Sequence, residues 1–361
     1  MKKTIRRSVG LALLAAGAFL ASPLPATIGQ TAGMLPGDSD LVIAINLKAM
    51  ENNESLMSSL TRAELEAAAK TELDKEGLNQ PYENPAEAAM RVALTSGATA
   101  TRTDYIAIGM YNNETGEPDL RAVIMGDYTA DPAAAVSSLG GTKTDTGAIS
   151  FASTTEGKVV SAASPKQDVM VFSNDATWSS GVMDTVTNKT NLSADGSEFN
   201  ALAATLSGRT PDVVVFIPGS LIQETVGTDP QAQAMAAPML KAKGLLLTML
   251  PGAEPSIEIT GSFPTPADAT LAKQWADSMI QLVKMQAASA LPQITDPVQK
   301  AELEKQVEMI NSIAITATDA NMTLKAPLKG LPPKEEIKQQ ILDAMKSSLD
   351  SGMPSAPVPG M

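Results

Sequence analysis

One arrangement of residues occurs twice in this chain, about 170 residues apart, and it constrains the fold more than any other feature. In the segments 38–53 (DSDLVIAINLKAMENN) and 211–225 (PDVVVFIPGSLIQET), an aspartate precedes a run of Val, Ile and Leu, and helix-forming residues follow. A short apolar run rich in β-branched residues is typical of a buried strand. The repetition therefore predicts an internal duplication.

A second pair of segments supports the duplication. Residues 126–135 (GDYTADPAAA) and 261–269 (GSFPTPADA) each leave a predicted strand through Gly-x-aromatic and enter a helix at Pro-Ala-x-Ala. We therefore predict an α+β fold of two similar halves, each a mostly antiparallel β-sheet covered on one face by helices. The halves are residues 34–207 and 208–350, and a Pro/Gly/Ser-rich tail, 351–361, is predicted to be disordered.

The predicted elements follow nearly the same order in both halves. In the first half, after the strand in 38–53, we expect helices at 48–77, 84–94, 131–139, 175–186 and 197–206, and strands at 104–113, 119–128, 148–154, 158–164 and 167–174. In the second half, after the strand in 211–225, we expect strands at 244–250, 255–263, 312–319 and 321–328, and helices at 267–291, 296–310 and 332–349.

The first 26 residues have the three parts of a secretory signal peptide. Basic residues at positions 2, 3, 6 and 7 precede an apolar run at 9–21, and small residues that offer cleavage sites follow. The run is shorter than the roughly 20 residues that a membrane-spanning helix needs. Because the chain has no cysteine, the signal is not of the lipoprotein type. The sequence thus predicts Sec-type export to the periplasm or the medium, with no membrane span left after cleavage.

The predicted mature chain is strongly acidic. Residues 1–26 hold four of the 27 basic residues and none of the 40 acidic ones, so cleavage leaves a net charge of −17. Such a surface does not suit nucleic acid or anionic lipid headgroups. The chain is 43% hydrophobic but only 3% aromatic, so its core must consist mainly of Ala, Leu, Ile, Val and Met.

Histidine and cysteine are both absent from the sequence. Their absence excludes zinc and copper sites of ordinary composition, and also Ser-His-Asp and Cys-His catalysis. Carboxylate, Ser-Lys, Tyr or Lys chemistry remains for an enzyme. No glycine-rich phosphate-binding loop is present. We predict no catalytic residue, no cofactor-binding residue and no metal ligand.

Asp145 lies in the segment Thr-Asp-Thr-Gly-Ala, which has the sequence found around the catalytic aspartates of aspartic peptidases. Those enzymes need two aspartates that share one proton, each placed after an apolar strand. Here the polar residues GGTKT precede Asp145, and the second half contains neither Asp-Thr-Gly nor Asp-Ser-Gly. We interpret the segment as a turn that leads into the strand at 148–153.

The other candidate residues form no coherent site. Asp38 and Asp40 are spaced as two ligands of a calcium site, but no calcium-binding loop follows, and Asp40 also fits the start of a strand. Asp184, Asp195 and Glu198 are no better spaced.

A serine, a lysine and the two tryptophans fit structural roles. Ser164 and Lys166 lack the Ser-x-x-Lys spacing of a catalytic pair, and Pro165 stands between them, so we predict a loop there. Trp178 and Trp275 have apolar neighbours in predicted helices, which indicates packing in the core.

The segment 35–50 (LPGDSDLVIAINLKAM) resembles the start of exported bacterial proteins classed as domains of unknown function. In those families a Leu-Pro-x-Asp-x-Asp segment leads into a first strand just after the signal peptide. The resemblance implies a fold type and a compartment, and it carries no functional residue to this chain.

Three functions are compatible with the sequence. The first is a non-catalytic exported protein with a structural or protein-interaction role, whose partners are envelope proteins. The second is a carrier that holds an apolar molecule between the sheet and the helix at 48–76 or 267–291. The third is a carboxylate hydrolase, which requires two acidic side chains about 5–10 Å apart in one cleft.

Overall fold

The computed structural model describes a large part of the chain. The described residues are 25–37, 39–51, 55, 58, 61–76, 99–112, 118–127, 142–143, 149–152, 159–166, 169–173, 197–206, 209–226, 230–328, 335–336 and 338–339.

Seven helices and twelve strands are assigned in these ranges. The helices are α1 (Pro25–Gly33), α2 (Arg62–Glu76), α3 (Glu198–Ala204), α4 (Gly219–Val226), α5 (Pro230–Ala236), α6 (Pro266–Ala290) and α7 (Pro297–Asn311). The strands are β1 (Leu41–Asn46), β2 (Thr103–Asn112), β3 (Pro118–Gly126), β4 (Thr142–Lys143), β5 (Ile149–Ala152), β6 (Val159–Lys166), β7 (Val169–Ser173), β8 (Val213–Pro218), β9 (Gly244–Leu250), β10 (Ser256–Ser262), β11 (Ala314–Thr318) and β12 (Asn321–Pro327).

The strands form one antiparallel sheet in the order β11-β12-β10-β9-β8-β1-β2-β3-β7-β6-β5-β4. The prediction of an α+β fold with antiparallel strands is confirmed. The prediction of a separate sheet in each half is wrong, because β1 and β8 pair and join the two halves into one sheet. We refer to β1–β7 as the first half and to β8–β12 as the second half.

The pairing of β1 with β8 places apolar side chains on both faces of the sheet. Apart from Asn46 at the end of β1, both strands are continuous runs of apolar residues, and such strands are buried on both sides. The face that carries Val42, Ala44, Val214 and Phe216 is called face 1, and the opposite face, which carries Ile43, is called face 2.

Helices cover both faces, so the prediction that helices cover a single face is also wrong. On face 1, Ile28 of α1 and Phe199 and Leu202 of α3 are buried in one cluster with the sheet. The rings of Phe199 and Phe216 meet edge to face, with centroids 5.5 Å apart. On face 2, α2 buries Leu65 against the sheet. Two helical layers therefore enclose the central strands.

Helix α2 starts at Arg62, whereas the sequence predicted a helix from residue 48. Thr61 and Glu64 form a capping box: the Thr61 hydroxyl accepts a bond from the Glu64 N–H, and the Glu64 carboxylate accepts one from the Thr61 N–H. The hydrogen bond from Lys338, at 2.5 Å, and those from Thr61 lower the pKa of Glu64 to about 2. The residue pattern Thr-x-x-Glu at 61–64 therefore marked the true start of the helix.

Three elements were not anticipated. Helix α1 begins at Pro25 and so includes the last two residues of the predicted signal peptide. Helix α5 and the two-residue strand β4 were also not predicted. The segment 164–166 lies at the end of β6, so the prediction of a loop there is wrong. The helices predicted at 84–94, 131–139 and 175–186, and most of the helix at 332–349, lie outside the described residues.

Candidate functional site

The large hydrophobic side chains that the described residues expose are concentrated in one region. They lie on α5, α6 and α7, with exposed fractions from 40% to 63%, and are Met235, Leu271, Leu282, Val283, Met285 and Met309. Single exposed apolar side chains are normal on protein surfaces, but a concentration of them marks an interaction site. This helical layer of the second half is therefore the first candidate site.

Helix α6 begins at a capped N-terminus, and its first half is held against the sheet. The hydroxyl of Thr265 accepts a bond from the N–H of Asp268, and Pro266 occupies the first turn. Ala272 and Ala276 are buried against β11, β12 and Phe263. Small side chains allow this close approach of helix and sheet, and they fix which side of α6 faces the sheet.

Three of the exposed side chains lie together on a side of α6 that is turned away from the sheet. At 100° per residue, Leu271, Leu282 and Met285 point about 120°, 100° and 160° away from the direction midway between Ala272 and Ala276. They form a stripe one helix wide and about 21 Å long, at a rise of 1.5 Å per residue. We call Leu271, Leu282 and Met285 the outer stripe. Because it faces away from the sheet, the packing of the fold does not require it to be apolar.

The second half of α6, which carries Leu282 and Met285, is poor in charge. Residues 278–295 contain a single charged residue, Lys284. Helix α5 lies beside the start of the stripe, where the Trp275 indole N–H donates a bond to the Met235 carbonyl at 2.6 Å. Trp275 packs against the cluster that contains Phe263, so the prediction that it anchors the core agrees with its position.

Face 1 of the second half has a different character, because polar side chains are buried there beside apolar ones such as Phe216 and Leu246. Five of them lie on β9 and β10 with exposed fractions of 2–9%: Thr248, Ser256, Glu258, Thr260 and Ser262. Glu258 forms ion pairs with Arg209 at 2.5 Å and Lys325 at 3.2 Å. Burial on its own raises the pKa of the Glu258 carboxyl, but the hydrogen bonds from Arg209 and Lys325 outweigh it and hold the pKa below its ordinary value.

A second polar group lies on the same face, nearer to α3. The Ser262 hydroxyl donates a bond to the Glu198 carboxylate at 3.2 Å, and Lys243 forms an ion pair with Glu198 at 3.1 Å. The hydroxyls of Thr260 and Thr323 lie 3.2 Å apart on neighbouring strands. These residues satisfy one another, which is what a buried polar layer requires.

The carboxyls with shifted pKa values do not have the properties of a general acid. A general acid needs a raised pKa. The pKa values of Glu64, Glu66, Glu258 and Asp268 are all lowered. These groups are ionised near neutral pH and accept hydrogen bonds.

Face 2 of the second half carries apolar side chains that are only partly covered. They are half-buried on β9, β10 and β12, and comprise Leu247, Met249, Ile257, Ile259, Leu324 and Ala326. Helix α6 covers the other end of these strands, around Phe263 and Met322. The half-buried end lies between α6 and the cluster under α2, and we call these six residues the apolar floor.

The residues singled out from the sequence do not come together. The Asp40 N–H donates to the Met110 carbonyl, as expected for the start of a strand. Glu198 is part of the polar layer on face 1. Asp38, Asp145, Asp184, Asp195 and Trp178 lie outside the described residues.

Within the described ranges, no group of three or more acidic side chains is placed to hold a metal ion. No helix in the same ranges is both long enough and apolar enough to cross a membrane.

Sequence reasoning missed the outer stripe and the polar layer. The sequence shows Leu, Leu and Met at spacings of 11 and 3, which places them near one another on a helix. It does not show which side of that helix packs against the sheet, so it does not show that these residues are exposed. Polar and apolar residues alternate along β10, Ser-Ile-Glu-Ile-Thr-Gly-Ser. Such alternation alone predicts that the polar residues face solvent, whereas here they are buried.

Comparison with known proteins gives no further information about the chain. No protein-family pattern matches it, and neither a curated protein nor a solved structure is significantly similar to it.

Proposed function

We propose that this chain is an exported, non-catalytic protein that acts by binding another protein of the cell envelope, with the outer stripe as its contact surface. The concentration of exposed large hydrophobic side chains on α5, α6 and α7 carries the proposal. Export is supported by the signal-like residues 1–26, and the binding role by the nearly uncharged segment 278–295 that carries Leu282 and Met285.

The shape and charge of the stripe favour one kind of partner. A stripe one helix wide and three to four turns long fits an amphipathic helix, which binds through apolar side chains at helical spacing. With only Lys284 charged among residues 278–295, the surface offers little to a charged ligand. The partner is therefore an envelope protein that presents an apolar helix face.

Native mass spectrometry of the mature protein, purified from its own cell envelope, tests the proposal. The wild-type chain is compared with the double variant Leu282→Asp, Met285→Asp, which places two charges in the stripe. Lys300→Asp on α7 is the matched control, because it changes an exposed charge outside the stripe. We expect a protein partner on the wild type and on the control, and its loss from the double variant. A partner retained by all three, or the bare chain mass in every sample, would contradict the proposal.

One observation favours a second candidate, a carrier for an apolar molecule. The apolar floor is only half-buried, and an apolar ligand lying on it would remove this surface from water. The same mass spectrum distinguishes the two functions, because a ligand adds a few hundred daltons rather than a protein mass. Such an adduct is expected to be lost from Ile259→Asp on the floor and to persist in the stripe double variant.

We further propose that the two halves arose by duplication. Five strands pair in the same order in each half: β1-β2-β3-β7-β6 and β8-β9-β10-β12-β11. Matched bonds support the equivalence, because the Asp40 N–H donates to the Met110 carbonyl at 2.9 Å and the Asp212 N–H to the Met249 carbonyl at 2.8 Å. Helices α1 and α3, which precede β1 and β8, both lie on face 1.

The pairing at the centre of the sheet is also consistent with a twofold axis. Ile43 pairs with Val215, and the flanking pairs are Val42 with Phe216 and Ala44 with Val214. If Val42 is equivalent to Val214 and Ala44 to Phe216, a twofold rotation about the pair Ile43–Val215 exchanges the two flanking pairs.

The equivalence revises two details of the duplication. Because α3 matches α1, the second unit begins near residue 197, not at 208. Gly261 pairs with Leu245, and the residue in the equivalent place of the first half is Ile124. Gly261 therefore corresponds to Ile124 and not to Gly126, which lies two residues further along the chain. A crystal structure in which the five strands of the two halves failed to superpose would contradict the duplication.

A further inference from the structure

We infer that β11 is a self-association edge, through which two copies of the chain join their sheets. Strand β11 lies at the end of the strand order and has one neighbour, β12, among the described strands. Its side chains alternate between exposed and half-buried. An edge strand presents unpaired backbone N–H and C=O groups to any strand that can pair with them.

The hairpin fixes which backbone groups face outward. The two-residue turn at Asp319 and Ala320 closes the hairpin at the pair Thr318–Asn321. The closing pair of such a hairpin is hydrogen-bonded, and bonded and non-bonded pairs alternate along an antiparallel ladder. Ile315 and Ala317 therefore direct their N–H and C=O groups away from β12, towards the open side.

The residues of this edge strand lack the features that usually prevent pairing with another strand. Edge strands are commonly protected by being short or by carrying lysine or proline. The segment 312–318, Ser-Ile-Ala-Ile-Thr-Ala-Thr, contains no charged residue and no proline. The opposite end of the strand order is β4, which has two residues and includes Lys143. Among the described strands, one end of the sheet is thus protected and the other is open.

The absence of charge selects a second copy of the chain as the occupant. In a symmetric antiparallel pair each residue lies opposite an identical or nearby residue, and like charges across strands are destabilising. A register centred on Thr316 pairs Ile315 with Ala317 of the second copy, and the reverse, and forms four backbone hydrogen bonds. The pairing of β1 with β8 joins two sheet halves in the same antiparallel way within one chain.

Sedimentation equilibrium of the mature chain over a range of concentrations tests the inference. We expect a monomer–dimer equilibrium, and a rise of about tenfold or more in the dimer dissociation constant for Ala317→Pro, since proline removes an outward N–H and leaves the bonds to β12 in place. Thr316→Lys is the second variant, because it places two like charges at the centre of the pair and retains every backbone group. The Leu282→Asp, Met285→Asp variant is the control, and it is expected to keep the wild-type constant.

Three outcomes would overturn the inference. They are a wild-type monomer at all concentrations, a dimer unaffected by both Ala317→Pro and Thr316→Lys, and open-ended polymers, which need two open edges. Circular dichroism and thermal unfolding of each variant show whether it is folded, and Thr316→Lys decides the matter if Ala317→Pro is not. The test is independent of the proposed function, because the outer stripe and β11 are changed by different variants.

Discussion

The two halves of the sheet share a pairing order but differ in what they bury. Val123 on β3 pairs with Ala107 and Val171 and lies in the dry cluster on face 1. Thr260 on β10 occupies the matching place, because it pairs with Leu246 and Thr323. Both residues are largely buried, at 1% and 8% exposure. At this place the same pairing order thus accommodates an apolar side chain in one half and a hydrogen-bonded hydroxyl in the other.

The difference shows which features of the chain determine the strand order and which do not. The central strands β1 and β8 are apolar on both faces, and their pairing is common to both halves. Further out, the polar layer has Glu258 with two basic partners, whereas the matching residue Arg121 lies over the Tyr111 ring at 3.9 Å. The outer strands tolerate either chemistry provided that each polar group has a partner.

The largest expected effect comes from placing a charge in the dry half. Val123→Asp buries a carboxylate among apolar side chains, and we expect it to lower the free energy of unfolding by about 4 kcal/mol. Urea denaturation followed by circular dichroism measures the change. Val123→Thr, which introduces the residue of the matching position, is the control and is expected to cost about 1–2 kcal/mol. A loss below that of the control would show that face 1 of the first half is not dry.

An intermediate effect is expected in the polar half. Glu258→Gln removes the charge between Arg209 and Lys325, and we expect a loss of about 1 kcal/mol at pH 7, since both basic partners are partly exposed and screened. The folded pKa of Glu258 is below its ordinary value, so its contribution is present at neutral pH. The contribution declines as the pH falls below the ordinary value of about 4.5 and through the folded pKa.

The pH dependence provides the check on that prediction. Unfolding free energies measured between pH 7 and pH 3 should converge for the wild type and Glu258→Gln as the pH falls. A difference between the two proteins that stayed constant with pH would contradict the assignment of the effect to the Glu258 charge.

The smallest effect on stability is expected when a polar residue of the second half is replaced by an apolar residue like that at the matching position of the first half. Thr260→Val removes one hydroxyl of the pair with Thr323 and adds apolar surface at a largely buried position. The two changes oppose each other, so we expect the free energy of unfolding to change by no more than about 0.5 kcal/mol. Thermal unfolding of Thr260→Val and Val123→Thr compares the stability cost of the two reciprocal substitutions. Equal losses of stability would contradict the proposed difference between the two positions.

Much of the fold was predictable because its signals are local. The strands β2, β3, β9 and β10 and the helix α6 follow from apolar runs, turn residues and Pro292. The joining of both halves into one sheet was not, because the apolar runs of β1 and β8 specify burial on both faces but not the neighbour. The outer stripe could not be assigned without the packing of Ala272 and Ala276, since a stripe of Leu and Met has the same sequence whether buried or exposed.

The pairing of Ile43 with Val215 has a consequence for the order in which the chain folds. The two residues are 172 positions apart, so the contact closes a very long loop. The hairpins β2–β3, β9–β10 and β11–β12 join neighbouring segments and can form early, because loop closure over a short distance costs little entropy. We therefore expect the central pairing of the sheet, which is largely buried in the folded protein, to be the slow step of its assembly.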